Sequence, residues 1–308
     1  MWYALASYVA GNAIRAALVV DASLFDLDAV CERAASPARE LCAHGVGAIV
    51  EAWTSAEPEV ARLAAAVVSL SGSGVLPALP AGVGLRAPYR PVRIFAAASN
   101  YREHAKEMGT TLAPRAESAP YFFMKADSSV TDPGAAVRIP HGCQKPDWEV
   151  ELAVILGRGG RDIAVHAAAA HIAGYTILND VTARDLTRRT DYPFTFDWFR
   201  GKCHDTFAPL GPWIVPHACL PNAQDARVRL DVNGVLMQDD TTASMIFTIN
   251  EQIAYLSTIV TLRPGDVIAT GTPDGVGMGR GVFLKPGDVM RATIDHIGVL
   301  ENPVTATE

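Results

Sequence analysis

The sequence predicts an α+β chain, with a small N-terminal α/β domain over residues 1–80 and a larger, β-rich catalytic body over residues 81–308. Three observations predict it. Residues 1–70 hold one strand-like piece followed by helical runs. The run Ser71–Pro91 is then so dense in Gly and Pro that it continues neither helix nor central strand, and reads as a connection. Beyond it come short apolar β-runs set off by tight turns, among them Asn233-Gly234 and two P-G-D turns at 264–266 and 286–288.

In order along the chain, Ile14–Val20 reads as a strand. Helices are expected over Asp26–Ala35, over Pro37–Ala43 with Ser36 as its cap, and over Glu57–Leu70. Ile94–Ala98 is a short strand, and a helix follows with Ser99 or Asn100 as cap. That helix sets His104 and Glu107 three apart on one face. A carboxylate beside an imidazole holds the ring in one orientation and raises its basicity, as proton removal from water requires. A surface helix whose His and Glu are plain neighbours is the commoner setting for an H-x-x-E considered alone. Pro120–Val130 reads as an aromatic strand ending in Lys125, then a loop, with Lys125 either a snorkelling strand-end charge or a site member.

The stretch Asp147–Asp185 organises the rest. It opens D-W-E-V-E-L-A-V-I-L-G, and Glu149 and Glu151 lie two apart in an otherwise apolar strand. A strand's period of two sends both carboxylates from one face. After Gly157–Gly160 comes an alanine-rich helical run, Val165–Ala173, and then a second strand, Tyr175–Leu178, with Asp180 at its tip. Three converging carboxylates repel unless a cation lies between them, and oxygen ligands suit Mg²⁺, or Mn²⁺ or Ca²⁺, rather than zinc. The solvated face of an edge strand, with Asp180 opening a turn, remains open from spacing alone.

Past Asp185 lies a loop with Tyr192, Phe194, Phe196, Trp198 and Phe199, which reads as a lid, a pocket wall or a subunit interface. Lys202 follows, placed to complement an oxyanion or a substrate carboxylate near a metal, and otherwise an ordinary surface lysine. His204 has no second His at metal spacing and reads as structural. A helix is expected over Thr248–Leu262, with Thr248 or Asn250 near its cap. The later G-T-P-D-G-V-G fits no phosphate-loop spacing; it reads as backbone, with the Thr272 hydroxyl, brought close to a small ligand.

Composition excludes several classes. With 308 residues, 49% hydrophobic and 19% charged, the chain suits a globular enzyme rather than disorder. A net charge of −7 without a basic cluster argues against nucleic acid. Five scattered cysteines without a C-x-x-C pair argue for a reducing compartment. The apolar N-terminus lacks a basic n-region and is interrupted by Asn12 and Arg15, so neither a signal peptide nor a membrane span is expected, and the cytoplasm is the expected location.

Five blocks in order resemble the fumarylacetoacetate hydrolase family: N-Y-x-x-H-x-x-E, D-W-E-V-E-L-A-V, G-Y-T-x-x-N-D-V-T-A-R-D, G-K-x-x-D-T-F-x-P-x-G-P-W and G-T-P-x-G-V-G, between about Leu76 and Val299. The resemblance is to its bacterial acylpyruvate hydrolase and 2-hydroxyhepta-2,4-diene-1,7-dioate isomerase-like branch. It implies a mixed β-roll core, a Mg²⁺-type ion on Glu149, Glu151 and Asp180, and a 2-oxo acid substrate. It also implies a His104–Glu107 dyad, an active-site Lys202, a ligand-facing Thr272 and a homodimer. Two departures stand out: Thr187 where the family places a substrate-touching Gln, and Ala126 where it often has Pro. Residues 1–80 carry no matching motif. The implied reaction is metal-dependent hydrolytic carbon–carbon cleavage of an acylpyruvate-like 2,4-dioxo acid in aromatic catabolism. The alternatives are an isomerase, decarboxylase or hydratase of 2-hydroxy-diene-dioates on the same site, and a non-catalytic binder of metal and 2-oxo acids.

Overall fold

An 11-stranded sheet runs through the computed structural model, which describes residues 1–307. At its centre the antiparallel strands Val150–Leu156 and Ile172–Asn179 are buried at every residue. Both faces of this part of the sheet are covered, which is why these strands read as unbroken apolar runs. On one face Val150, Leu152 and Val154 pack with Val228, Leu230 and Met290 of a second, five-stranded sheet. On the other, Ala153 and Ile155 share a core with Val60, Leu63 and Val67 of the helix Trp53–Gly72. The α+β architecture with a mixed β core agrees with the sequence expectation.

The N-terminal segment joins this sheet. Ala4–Ala10 is a strand that pairs with Ala13–Val20 and also with Ala208–Pro216, Leu5 opposite Ile214. Backbone pairing therefore crosses the Gly/Pro-rich connection, and the apolar start of the chain is sheet. All five cysteines are free. No helix among the described residues is long and apolar enough to cross a membrane.

Several elements differ from expectation for local reasons. In place of a helix over Val165–Ala173 stands a 3-10 helix, Val165–His171, because Ile172 already pairs with Leu156 and starts the strand. The helix bearing His104 spans Arg102–Glu107 with Tyr101 as its cap. Ser99 lies in the left-handed region at φ +54°, and Asn100 uses its amide on the Phe247 and Thr270 carbonyls instead of capping. Thr248 and Glu251 form a full capping box for Ile249–Ile259. Asn233 and Gly234, both at positive φ, make the expected hairpin turn.

Candidate metal and catalytic site

The register of the two central strands builds the acidic cluster. Val150 lies opposite Asn179, and the Asp180 N–H donates to the Glu149 carbonyl at 2.8 Å. The E-x-E and N-D segments thus meet at one end of the sheet. Glu149, Glu151 and Asp180 are buried and present oxygens that all lie within 4.8 Å of one another, an all-oxygen donor set able to hold a hard divalent cation.

Two lysines and an arginine share this charge. The Lys202 Nζ donates to Glu149 Oε2 and Asp180 Oδ2, each at 2.6 Å. Lys125 approaches from behind and donates to Asp180 Oδ1 at 2.6 Å. Arg184 reaches the other Glu149 oxygen. Burial alone would raise the Glu149 carboxyl, but Arg184 and Lys202 outweigh it and hold the group well below the ordinary carboxylate range. Glu151 is the reverse case. Its one hydrogen-bond donor is the Gly271 N–H at 2.8 Å, and among the described residues no cation pairs with it. Burial, then the charges of Asp180 and Glu149, push its carboxyl well above the usual value. A buried carboxylate left in this condition is what a bound divalent ion would relieve, so these residues fit the metal.

His104 is buried, its Nδ1 3.6 Å from Glu107 Oε2, close but beyond hydrogen-bond length. Both Glu107 oxygens accept the Gly275 N–H at 3.1 Å. Burial raises the Glu107 carboxyl, yet His104 and this backbone donor together bring it below the ordinary value.

A cavity of about 540 Å³ brings the pieces together, lined by His104, Glu149, Glu151, Lys202, Thr187 and Thr272 among others. Thr272 faces it with a hydroxyl already engaged, donating to the Val150 carbonyl and accepting from Gln238, both at 2.8 Å. Thr187 lies against Gly201, its hydroxyl donating to the Ala183 carbonyl at 3.1 Å. Lys125 stands behind the acids, outside the cavity wall. Trp198 of the aromatic loop, stacked on Phe123 at 5.1 Å, and Phe196, itself half-exposed, form part of the wall, whereas Tyr192, Phe194 and Phe199 are exposed and do not line it.

Sequence reasoning passed over Asp147, Arg184 and Gln238, all three hydrogen-bonded into the site. The first two stand in the quoted blocks D-W-E and T-A-R-D. Their opposite charges were the available signal, because the short strands that carry or precede them, Pro146–Asp147 and Thr182–Ala183, pair with each other.

Residues 93–305 match the model of the fumarylacetoacetate (FAA) hydrolase C-terminal family. The mitochondrial oxaloacetate tautomerase of Xenopus laevis is 40% identical over 225 residues, 72% of this chain and 68% of that protein. Among solved structures, fumarylacetoacetate hydrolase from psychrophilic Exiguobacterium antarcticum superposes with a TM-score of 0.79 at 32% identity, covering 99% of this chain and 100% of its own. Maleylpyruvate hydrolase from Sphingobium sp. SYK-6, in complex with manganese(II) ion and pyruvate, superposes with a TM-score of 0.73 at 26% identity, with both chains fully covered.

Proposed function

Because the chain belongs to the fumarylacetoacetate hydrolase family, we propose that it is a divalent-metal-dependent hydrolase cleaving a carbon–carbon bond of an acylpyruvate-like 2,4-dioxo acid. Fumarylacetoacetate and fumarylpyruvate represent the type. One observation carries the reading: His104, backed by Glu107, opens on the same cavity as Glu149, Glu151 and Lys202. A base and an acidic metal cradle around one space are what hydrolysis of a chelating diketone acid needs.

Glu149, Glu151 and Asp180 would hold Mg²⁺, with Mn²⁺ or Ca²⁺ as substitutes, and the bound ion supplies Lewis acidity and a template for a 2-oxo acid. With Nδ1 turned to Glu107, His104 keeps Nε2 to take a proton from water. The hydroxide so formed adds to the distal carbonyl carbon. The bond between that carbon and the methylene then breaks, the electron pair leaving with the 2-oxo acid fragment as its enolate. Protonation of the enolate gives pyruvate, and the acyl arm departs as a carboxylic acid. Lys202 keeps an ammonium at the cavity wall where negative charge develops.

The relationship to an oxaloacetate tautomerase favours one other reading, in which the same base only moves protons within a 2-oxo acid, as an isomerase, decarboxylase or hydratase does. Product identification by NMR separates the two. Acylpyruvates and unsaturated 2-oxo diacids are incubated with enzyme and Mg²⁺, and separately with EDTA. Pyruvate plus a carboxylic acid, lost on chelation, is expected. A rearranged but uncleaved skeleton, or released CO₂, would replace the hydrolase reading by the second one.

Thr187 bears on the acyl arm. A Gln at this position would extend an amide into the cavity, so Thr187→Gln is expected to change the ranking of acyl arms by about tenfold in kcat/KM between the best and the bulkiest, roughly one hydrogen bond's worth. An unchanged profile over the same panel would remove Thr187 from substrate selection.

A further inference from the structure

The glycine-rich segment, which runs into the short helix Gly277–Arg280, serves protein carboxylates. Its N–H groups at Gly277 and Met278 donate to the two Asp147 oxygens at 2.6 and 2.9 Å, while Gly275 donates to Glu107. The glycines are sterically required for this approach. A Cβ on Gly277 would lie 2.6 Å from Asp147 Oδ1, and one on Gly279 would lie 2.1 Å from Glu107 Cγ. The Trp148 indole N–H, one residue past Asp147, closes on the Gly275 carbonyl at 3.1 Å.

Asp147 also faces the other half of the site. Its Oδ2 accepts from Arg184 Nε at 2.7 Å, and the same guanidinium holds Glu149 through Nη2. The carboxylate is wholly buried, and Arg184 nearly so. An acid with no access to solvent is therefore fastened both to the loop that backs the base dyad and to the cation that orients a metal-cradle carboxylate.

We propose that Asp147 is a positioning residue that sets Glu149 through Arg184 and Glu107 through the Gly275–Gly279 loop, coupling metal affinity to the placement of His104. This rests on the functional reading given above for the roles of Glu149 and His104. Partners one step removed from metal ligands act by fixing ligand orientation, and their loss weakens metal binding by about 10- to 100-fold.

The test compares the full-length wild type with Asp147→Asn, which preserves volume and one acceptor but loses the charge facing Arg184. Mn²⁺ affinity by titration calorimetry is expected to fall about tenfold or more. At saturating Mn²⁺, kcat per Mn²⁺-loaded site, counted by titration calorimetry, is expected to fall with KM nearly unchanged, whereas general loosening of the fold would lower the number of loaded sites and leave kcat per site intact. Arg184→Gln should weaken Mn²⁺ binding by a similar factor, and its effect on Mn²⁺ affinity should be non-additive with Asp147→Asn because both cut one link. Gly279→Ala, on the exposed side of the loop, should lower kcat and leave Mn²⁺ affinity intact. Wild-type Mn²⁺ affinity and kcat in Asp147→Asn, or additive losses in the double variant, would overturn the proposal. Should Asp147→Asn not fold, unchanged Mn²⁺ affinity in Arg184→Gln or unchanged kcat in Gly279→Ala would do the same. Failure of the functional reading would show separately, as a wild type that takes up no Mn²⁺ or turns over no 2-oxo acid. Amide exchange at Gly275–Met278 still reads the clamp in that event, and wild-type protection in Asp147→Asn would overturn it.

Discussion

Glu151→Gln is expected to abolish metal retention, read as the loss of bound Mg²⁺ or Mn²⁺ by elemental analysis after gel filtration. Of the three acids this is the one without a cationic partner among the described residues, and its neighbours Asp180 and Glu149 repel it. Amide oxygen is a weaker and uncharged ligand for a hard ion. The same substitution should act in the opposite direction on the metal-free fold. With its folded pKa raised above the unfolded value, Glu151 binds a proton more readily when folded. Its contribution is therefore full below the ordinary carboxylate range and is lost as pH rises toward the folded pKa. In EDTA at neutral pH the Gln variant is thus expected to melt a few degrees above wild type, and below it once Mn²⁺ is added. Normal metal content in the variant, or the same order of melting in both buffers, would contradict this account of the cluster.

His104→Ala is expected to lower turnover by about 10²- to 10⁴-fold, the usual contribution of a positioned general base. Metal content and affinity for product should hold, because His104 makes no hydrogen bond or ion pair with Glu149, Glu151 or Asp180; its close approach is to Glu107. Glu107→Gln should give a smaller loss, since the ring stays in place with a weaker partner. A near-normal rate in His104→Ala, measured on the substrate found by NMR, would exclude it from proton transfer.

That Glu149 and Glu151 leave one face was legible because period-two spacing depends on little beyond extended backbone; the joining of Asp180 to them as a metal cluster was not fixed by spacing and came with the family resemblance. The Asn233-Gly234 turn and the Thr248 cap were legible for the same reason, as local chemistry decides both. Where tertiary partners decided, the signal failed. The alanine-rich run from Val165 favours helix by composition, yet the ladder to Leu156 claims Ile172 and leaves a 3-10 helix. Residues Ala4–Ala10 are short and weakly patterned, and pairing with Ala13–Val20, Ala208–Pro216 and Leu85–Arg86 makes them a strand. Lys125 read as either a strand-end charge or a site member, and only the buried ion pair with Asp180 decides for a place beside the acidic cluster. Asp147 and Arg184 stand 37 residues apart, and no spacing rule relates them until the two small strands pair.

The donor that holds Glu107 lies 168 residues further along the chain, at Gly275. During synthesis at about 5–20 residues per second, roughly 10–30 s pass between the emergence of the two. Within that interval Glu149, Glu151 and Asp180 are made well before Gly271, the donor to Glu151. The nascent chain therefore carries its acids without the loop that completes their surroundings. Catalytic competence therefore waits for the Gly271–Gly275 segment, however early the central strands form.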